Sequence, residues 1–330
     1  MDTLKKLLAL ALALTACAVF AAPAQAQGPG PEELLGLVPL SAYDGWLTYA
    51  DLDAMAALYG AEMPAGTEEF WAMDGSPEEG RLMAAFLALS SGPPDFFRNM
   101  MKSREFLASS GFDFFHVRRV LEVGAPPDRQ FWLAGDFGAQ PIRDALAAKG
   151  YEQVNTGFAG REAWAPGGDL AGGGKTDLAG RDPYFLFGGT LGQSWPVVQM
   201  PGVIASGRGE AGMRAVAMRE GPALTENAVI SDALHAVRAY GGDGAQVAQL
   251  YLLTAGSAGL SGAGDLPEFK ALAMAHAFTG GAQWTLLALS YPDAATAEEA
   301  ARILRERLAG EVALPSGTTL QALVAARGGA

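Results

Sequence analysis

Three histidines, one paired acidic motif and one glycine-rich segment are the places where side-chain type and spacing could support chemistry. His116, His235 and His276 could ligate a metal or carry a proton, yet none sits in an HExxH or related spacing, so zinc has no support in the pattern. His116 and His235 fall in segments predicted to be helical and read as satisfied surface or boundary residues. His276 lies on the predicted strand FKALAMAHAF and shares an alternating face with Leu272, Met274 and Phe278. An imidazole on a core face needs a hydrogen-bond partner. A structural bond is the favoured reading there, because no carboxylate and nucleophile can be paired with it in sequence. Asp51 and Asp53 form a DxD at the opening of a predicted helix, where carboxylates cap and complement the dipole; the rest of a calcium loop is missing. The segment GGDLAGGGKT, residues 167–176, misses the phosphate-loop spacing. Asp169 occupies the first glycine position of GxxxxGK[ST], and DLAGRDP follows where a helix should begin, so a flexible linker is expected. Neither GLSGA (259–263) nor ASG (205–207) completes a GxSxG nucleophile elbow, and both read as turns. Tyr184, Phe185, Phe187 and Trp195, interleaved with glycines, read as core or domain interface, with an apolar ligand groove as the second reading. No catalytic, cofactor-binding or metal-ligating residue is assigned, and no cofactor is expected.

The most specific chemistry is that of processing. Lys5 and Lys6 lead into an apolar run from Leu7 to Ala22, whose 16 residues fall short of the ~20 that span a bilayer core. Ala24, Gln25 and Ala26 then supply small residues one and three positions before a cut after Ala26, which would release a soluble protein. The segment Leu14, Thr15, Ala16, Cys17 resembles the lipobox of bacterial lipoproteins, and the resemblance implies a diacylglycerol on Cys17, the chain's single cysteine. The apolar AVFAA that follows Cys17 favours release over a tether. Both readings stay open, and both put the protein outside the cytoplasmic membrane, in the periplasm, the cell envelope or the medium.

Composition narrows the partners. With a formal charge of −13 and no run of Lys and Arg, the chain lacks the positive footprint that nucleic acid requires. Its 50% hydrophobic and 18% charged residues exceed the apolar content of a disordered chain, so a packed body is expected. No cysteine follows Cys17, so disulfides cannot staple it, and size must supply the core. A membrane is expected as a partner only through a lipid on Cys17.

The elements that must position these residues can be read from periodicity. After a signal over 1–26 and a Gly/Pro linker over 27–33, a first α+β lobe is expected over 34–166, a Gly-rich linker over 167–183, a second α+β lobe over 184–322 and a tail over 323–330. Trp46, Leu47 and Tyr49 suggest a strand, and Leu52, Met55, Ala56 and Tyr59 a helix after it. DFFHVRRVLEV fits a helix capped by Asp113, with Phe114, Val117, Val120 and Leu121 on one face. QFWLAGDF reads as strand, AQPIRDALAAKG as helix ending at Gly150, and YEQVNTGFAGREAWAP as a hairpin turning near Gly157 to Gly160. In the second half VVQMPGVIASG reads as strand, AGMRAVAM as helix, and TENAVISDALHAVRAY as a helix with Thr225 as N-cap. AQVAQLYLLTA is a predicted strand, FKALAMAHAF and AQWTLLALSY a hairpin about Thr279, Gly280 and Gly281. TAEEAARILRERLAG after Asp293 is the clearest helix, with Ala297, Ala300, Ala301, Leu304 and Leu308 on one face.

The expected fold is α+β: two lobes with mostly antiparallel sheets and helices on one face, for which a ferredoxin-like split βαβ, duplicated, is a fitting arrangement. With GLVPLSAYDGWLTYADL over 36–52 and a strand, acidic turn and Ala-rich helix at both Phe131 to Gly150 and Leu286 to Gly310, the chain resembles uncharacterised bacterial exported proteins and lipoproteins. That resemblance implies an envelope protein and transfers no functional residue. A non-enzymatic role in binding or assembly is the leading expectation, with an envelope partner or a small apolar ligand. The alternatives are an extracytoplasmic hydrolase whose site forms only in the fold, and a carrier of an apolar ligand between the lobes.

Overall fold

The computed structural model describes residues 16–17, 31–89, 96, 98–124, 128–170, 176–208, 210–241, 246–254, 266–279 and 282–309. The chain is mixed α+β with antiparallel sheet, and it divides into two compact units, Gln25–Glu226 and Asn227–Ala330 with Met1–Ala24. The first described element, β1 (Ala16–Cys17), pairs antiparallel with Gln283 and Ala282.

The larger unit opens with α1 (Pro31–Leu35), β2 (Trp46–Asp51) and α2 (Leu52–Leu58). Strand and helix meet where the spacing of their apolar residues predicts, and Asp51 makes the junction: its Oδ1 accepts from Ala54 N at 2.9 Å, so the last strand residue is also the N-cap. Three helices follow in a stretch that periodicity leaves unassigned, α3 (Thr67–Ala72), α4 (Pro77–Leu87) and α5 (Ser103–Ser110). α4 begins on a capping arrangement: Ser76 Oγ accepts from Glu79 N at 3.1 Å, Pro77 opens the first turn, and the Glu79 carboxylate reaches back to Gly75 N at 2.7 Å.

The segment DFFHVRRVLEV is not the predicted helix. It is one 3-10 turn, Phe114–His116, followed by strand β3 (Val117–Val123). β3 lies between β2 and a further strand and is buried on both faces, which erases the alternation that marks a strand and leaves apolar residues at helix-like intervals. Its three valines favour the extended chain. Asp113 caps only the single turn, accepting from Phe115 N at 2.9 Å, and it also binds the start of α3 through Thr67 N at 2.8 Å and Thr67 Oγ1 at 2.9 Å.

β4 (Gln130–Gly135), α6 (Ala139–Ala148) and the hairpin of β5 (Tyr151–Val154) with β6 (Glu162–Pro166) stand where the sequence predicts them. VVQMPGVIASG is two strands, not one: β7 (Val197–Met200) and β8 (Val203–Gly207) fold back at Pro201 and Gly202. Gly202 has a φ of +67°, which a proline–glycine turn requires and a side chain would resist. ASG at 205–207 therefore lies in β8 rather than in a turn, with the buried Ser206 hydroxyl donating to Pro196 O at 2.8 Å. α7 (Glu210–Met218) follows. These strands run antiparallel in the order β2-β3-β4-β8-β7-β6-β5, so β6 and β7, which flank the glycine-rich segment in sequence, are adjacent strands of one unit. On one face of the sheet Val120, Phe131, Leu133, Val197 and Ile204 meet Phe70, Phe86, Phe96, Phe106, Phe114 and Phe115. Phe185 and Phe187 belong to the same core, with Trp195 packed against it. On the other face Leu47, Tyr49, Leu121, Trp132 and Ala205 are buried.

The smaller unit holds α8 (Ala228–Gly241), β9 (Gln246–Thr254), β10 (Ala271–Thr279), β11 (Ala282–Ser290) and α9 (Ala294–Ala309). The N-cap of α8 is Asn227, not Thr225: Asn227 Oδ1 accepts from Val229 N at 3.0 Å and Ile230 N at 3.3 Å, while Thr225 sits inside a 3-10 turn, Leu224–Glu226. Asn227 wins because it alone stands directly before the helix, within reach of those amides. β10 and β11 pair antiparallel from Ala271 opposite Ser290 to Thr279 opposite Ala282, in the register of the predicted hairpin. Ala271, Ala273, Ala275 and Ala277 alternate along β10 and are buried, and these small side chains suit the close packing of α8 on β10 and β11. Asp293 starts α9 by accepting from Thr296 N at 2.8 Å, and Ala297, Ala300 and Ala301 face inward as predicted.

Candidate functional site

His276 stands on β10, between β9 and β11, opposite Gln249 of β9 and Thr285 of β11. Its Nδ1 lies 3.1 Å from Thr285 Oγ1, and the Tyr251 hydroxyl donates to Gln249 Oε1 at 3.3 Å, so a row of polar groups crosses the strands. The imidazole is half-buried, and that burial lowers its pKa below the ordinary histidine value. Among the described residues the Thr285 hydroxyl is its hydrogen-bond partner, and no carboxylate is bonded to it that would orient it as a base. The bond to Thr285 ties β10 to β11. It has a measurable consequence, because the unfolded chain takes up the proton before the folded one. The contribution to stability is complete above the unfolded value, about 6.5, and is lost as pH falls below it toward the folded value. Thermal unfolding should therefore shift downward as pH falls below about 6.5, and His276→Gln should flatten that slope. An unchanged slope in the variant would refute this role.

The DxD motif resolves into two ion pairs with consecutive arginines of β3. Asp53 Oδ1 lies 2.9 Å from Arg118 Nη1 in a partly exposed position, and Asp51 Oδ2 lies 3.0 Å from Arg119 Nε. The inner pair is the unusual one, with only 10% of the Asp51 side chain and 4% of the Arg119 side chain exposed. Burial raises the pKa of Asp51, and the Arg119 charge opposes that rise without overcoming it. Tyr49, two residues from Asp51 on the same face of β2, is raised by burial as well. Asp51, the last residue of β2, stands directly opposite Arg119 of β3, while Asp53 reaches Arg118 from the first turn of α2, a match that is visible only once β3 is known to be a strand.

A different kind of place lies at the β5–β6 hairpin. Residues 153–158 and Arg161 line a cavity of about 390 Å³. The loop is built from local bonds: Asn155 Oδ1 accepts from Gly157 N at 3.0 Å, while Thr156 Oγ1 accepts from Phe158 N at 3.2 Å and donates to Arg161 O at 3.0 Å. Phe158 is 45% exposed and forms an aromatic wall. The Arg161 guanidinium is partly buried and donates through Nη1 to Val216 O near the end of α7. Burial lowers its pKa, and the nearby Arg219 charge lowers it further. In the sequence this segment signals only a turn. Nothing in local spacing couples Arg161 to Arg219.

The remaining singled-out residues are dispersed. His116 closes the 3-10 turn, with Nε2 3.1 Å from Ala65 O, and His235 is exposed on α8. Cys17 lies in β1; Ala26, GLSGA at 259–263 and residues 171–175 of the glycine-rich segment fall outside the described residues. Among the described residues no group of three or more His, Cys, Asp or Glu could hold a metal ion, and no helix is long and apolar enough to cross a membrane. No family model, curated protein or solved structure matches the chain.

Proposed function

We propose that this chain is an exported protein that acts outside the cytoplasmic membrane by binding, without catalysing a reaction. The cavity at the β5–β6 hairpin carries the reading, because a loop braced by its own side-chain bonds frames an opening of the volume that small solutes occupy. In the two other polar arrangements His276 already faces Thr285 and Asp51 already faces Arg119, and the latter pair is almost closed to solvent. The cavity is lined by amide, hydroxyl and guanidinium groups, so a polar solute suits it better than the apolar ligand expected from the aromatic segment. Residues 1–26 are its signal, with release after Ala26 or a lipid on Cys17. The repeated strand, turn and helix in β4–α6 and β11–α9 supports a duplicated α+β lobe of ferredoxin-like kind as the origin of the fold.

Intact-mass analysis of the protein from membrane and soluble fractions tests export. An N-terminus at Gln27, or a diacylated Cys17, is the expected result. A full-length chain confined to the cytoplasm would overturn the proposal.

A further inference from the structure

Resting on the binding role just described, we propose that the β5–β6 cavity takes a small solute by its oxyanion, a carboxylate or a phosphate group, held by Arg161 and attracted by Arg219. In a chain of formal charge −13 these two cations lie close together, and among the described residues neither has a carboxylate partner. The nearest acids in sequence are engaged elsewhere. Glu162 is gripped by Arg143, with Nε 2.8 Å from Oε2 and a second bond from Nη2 to Oε1, and Glu220 lies 3.6 Å from Arg214. Positive charge is thereby left uncompensated beside an opening, where an anion would find both attraction and donors.

The donors are oriented in advance. One guanidinium N–H of Arg161 goes to Val216 O, which fixes the plane of the fork and leaves the others for a ligand. Asn155 is held by its Oδ1 on Gly157 N, so its Nδ2 can donate to the same group. Phe158 supplies an apolar wall for the remainder of the solute.

The backbone at Arg219 adds an independent observation. Among the described residues Arg219 is the single non-glycine residue at positive φ, +52°, directly after α7, where Glu220 N closes the helix end on Ala215 O at 3.0 Å. Glycine is the residue that this position favours, so an arginine there accepts backbone strain and keeps a second cation near Arg161. A purely structural account, in which both arginines only complement the negative end of α7, makes a different prediction.

Calorimetric titration of the mature chain with inorganic phosphate and with citrate, at low ionic strength and with glucose as the neutral probe, separates the two. Binding of phosphate or citrate that weakens with added NaCl is expected, and which of the two binds identifies the source of the oxyanion. Arg161→Gln should weaken it about tenfold or more, the loss of a charge-assisted bond. Arg219→Gly should weaken it several-fold while raising Tm by about 2 °C, because glycine relieves the strain as the charge is lost. If Arg161→Gln fails to fold, Arg161→Lys and Arg219→Gly carry the same test. Anion affinity unchanged in Arg219→Gly and in the Arg161 variant would overturn the oxyanion site. Glucose binding without anion binding would overturn it too, yet leave the binding role standing, whereas no response to any probe would count against both.

Discussion

Phe114→Ala should cost about 3–5 kcal/mol, a large share of the 5–15 kcal/mol that holds a domain folded. The fully buried Phe114 ring is the hub of the aromatic core: it stacks on Phe96 at 4.4 Å and meets Phe86, Phe106 and Phe115 at 5.7, 6.1 and 5.2 Å with near-perpendicular planes. Its neighbours come from α4, α5 and the loop between them, so one truncation loosens several elements at once. Such pairs contribute about 0.5–1.5 kcal/mol each beyond burial, and the cavity left by alanine could not be refilled without moving helices. Urea unfolding followed by near-ultraviolet circular dichroism is the measurement. Phe114→Leu, which keeps most of the volume, should lose much less. A midpoint for Phe114→Ala within error of the parent would show that the ring is not the hub.

The second large effect belongs to the inner ion pair. Arg119→Met should cost about 3–5 kcal/mol at neutral pH, because it strands the Asp51 carboxylate in a site almost closed to water. The pH dependence gives this mechanism its signature. A carboxyl whose folded pKa is raised is protonated more readily in the folded than in the unfolded chain, so stability is lowest above the folded pKa and recovers as pH falls through it toward the unfolded value. Arg119→Met should therefore regain stability on acidification relative to the parent. The double variant Asp51→Asn with Arg119→Met should recover most of the loss at pH 7, since asparagine can still accept from Ala54 N and cap α2. A double variant as unstable as Arg119→Met alone would mean that lost packing of the arginine stem, not the stranded charge, sets the cost.

The candidate site was the least legible part of the chain. The aromatic residues after the glycine-rich segment read first as core and second as a groove, and Phe185 and Phe187 do belong to the core, since a face of sheet this large needs apolar volume to cover it. His276 was legible as a histidine in need of a partner, and Thr285 supplies it from the adjoining strand. Arg161 carried no signal: its significance comes from α7 reaching it through Val216 and Arg219. The stretch holding α3, α4 and α5 was missed for a related reason, because these short helices depend on the aromatic core rather than on a long amphipathic stripe.

By itself the sequence determined what nearest neighbours control. The β10–β11 hairpin follows from two glycines between alternating runs, α9 from an aspartate cap and an alanine face, and β2–α2 from an acid placed at their junction. Only the tertiary structure decided that Val117–Val123 is a strand, that Asp51 meets Arg119 across two strands, and that the charge of Arg219 is felt at Arg161. Turns and caps are fixed by bonds within four residues, whereas two-sided burial and charge pairing depend on groups far apart in the chain, whose energies exist only after the sheet has brought them together.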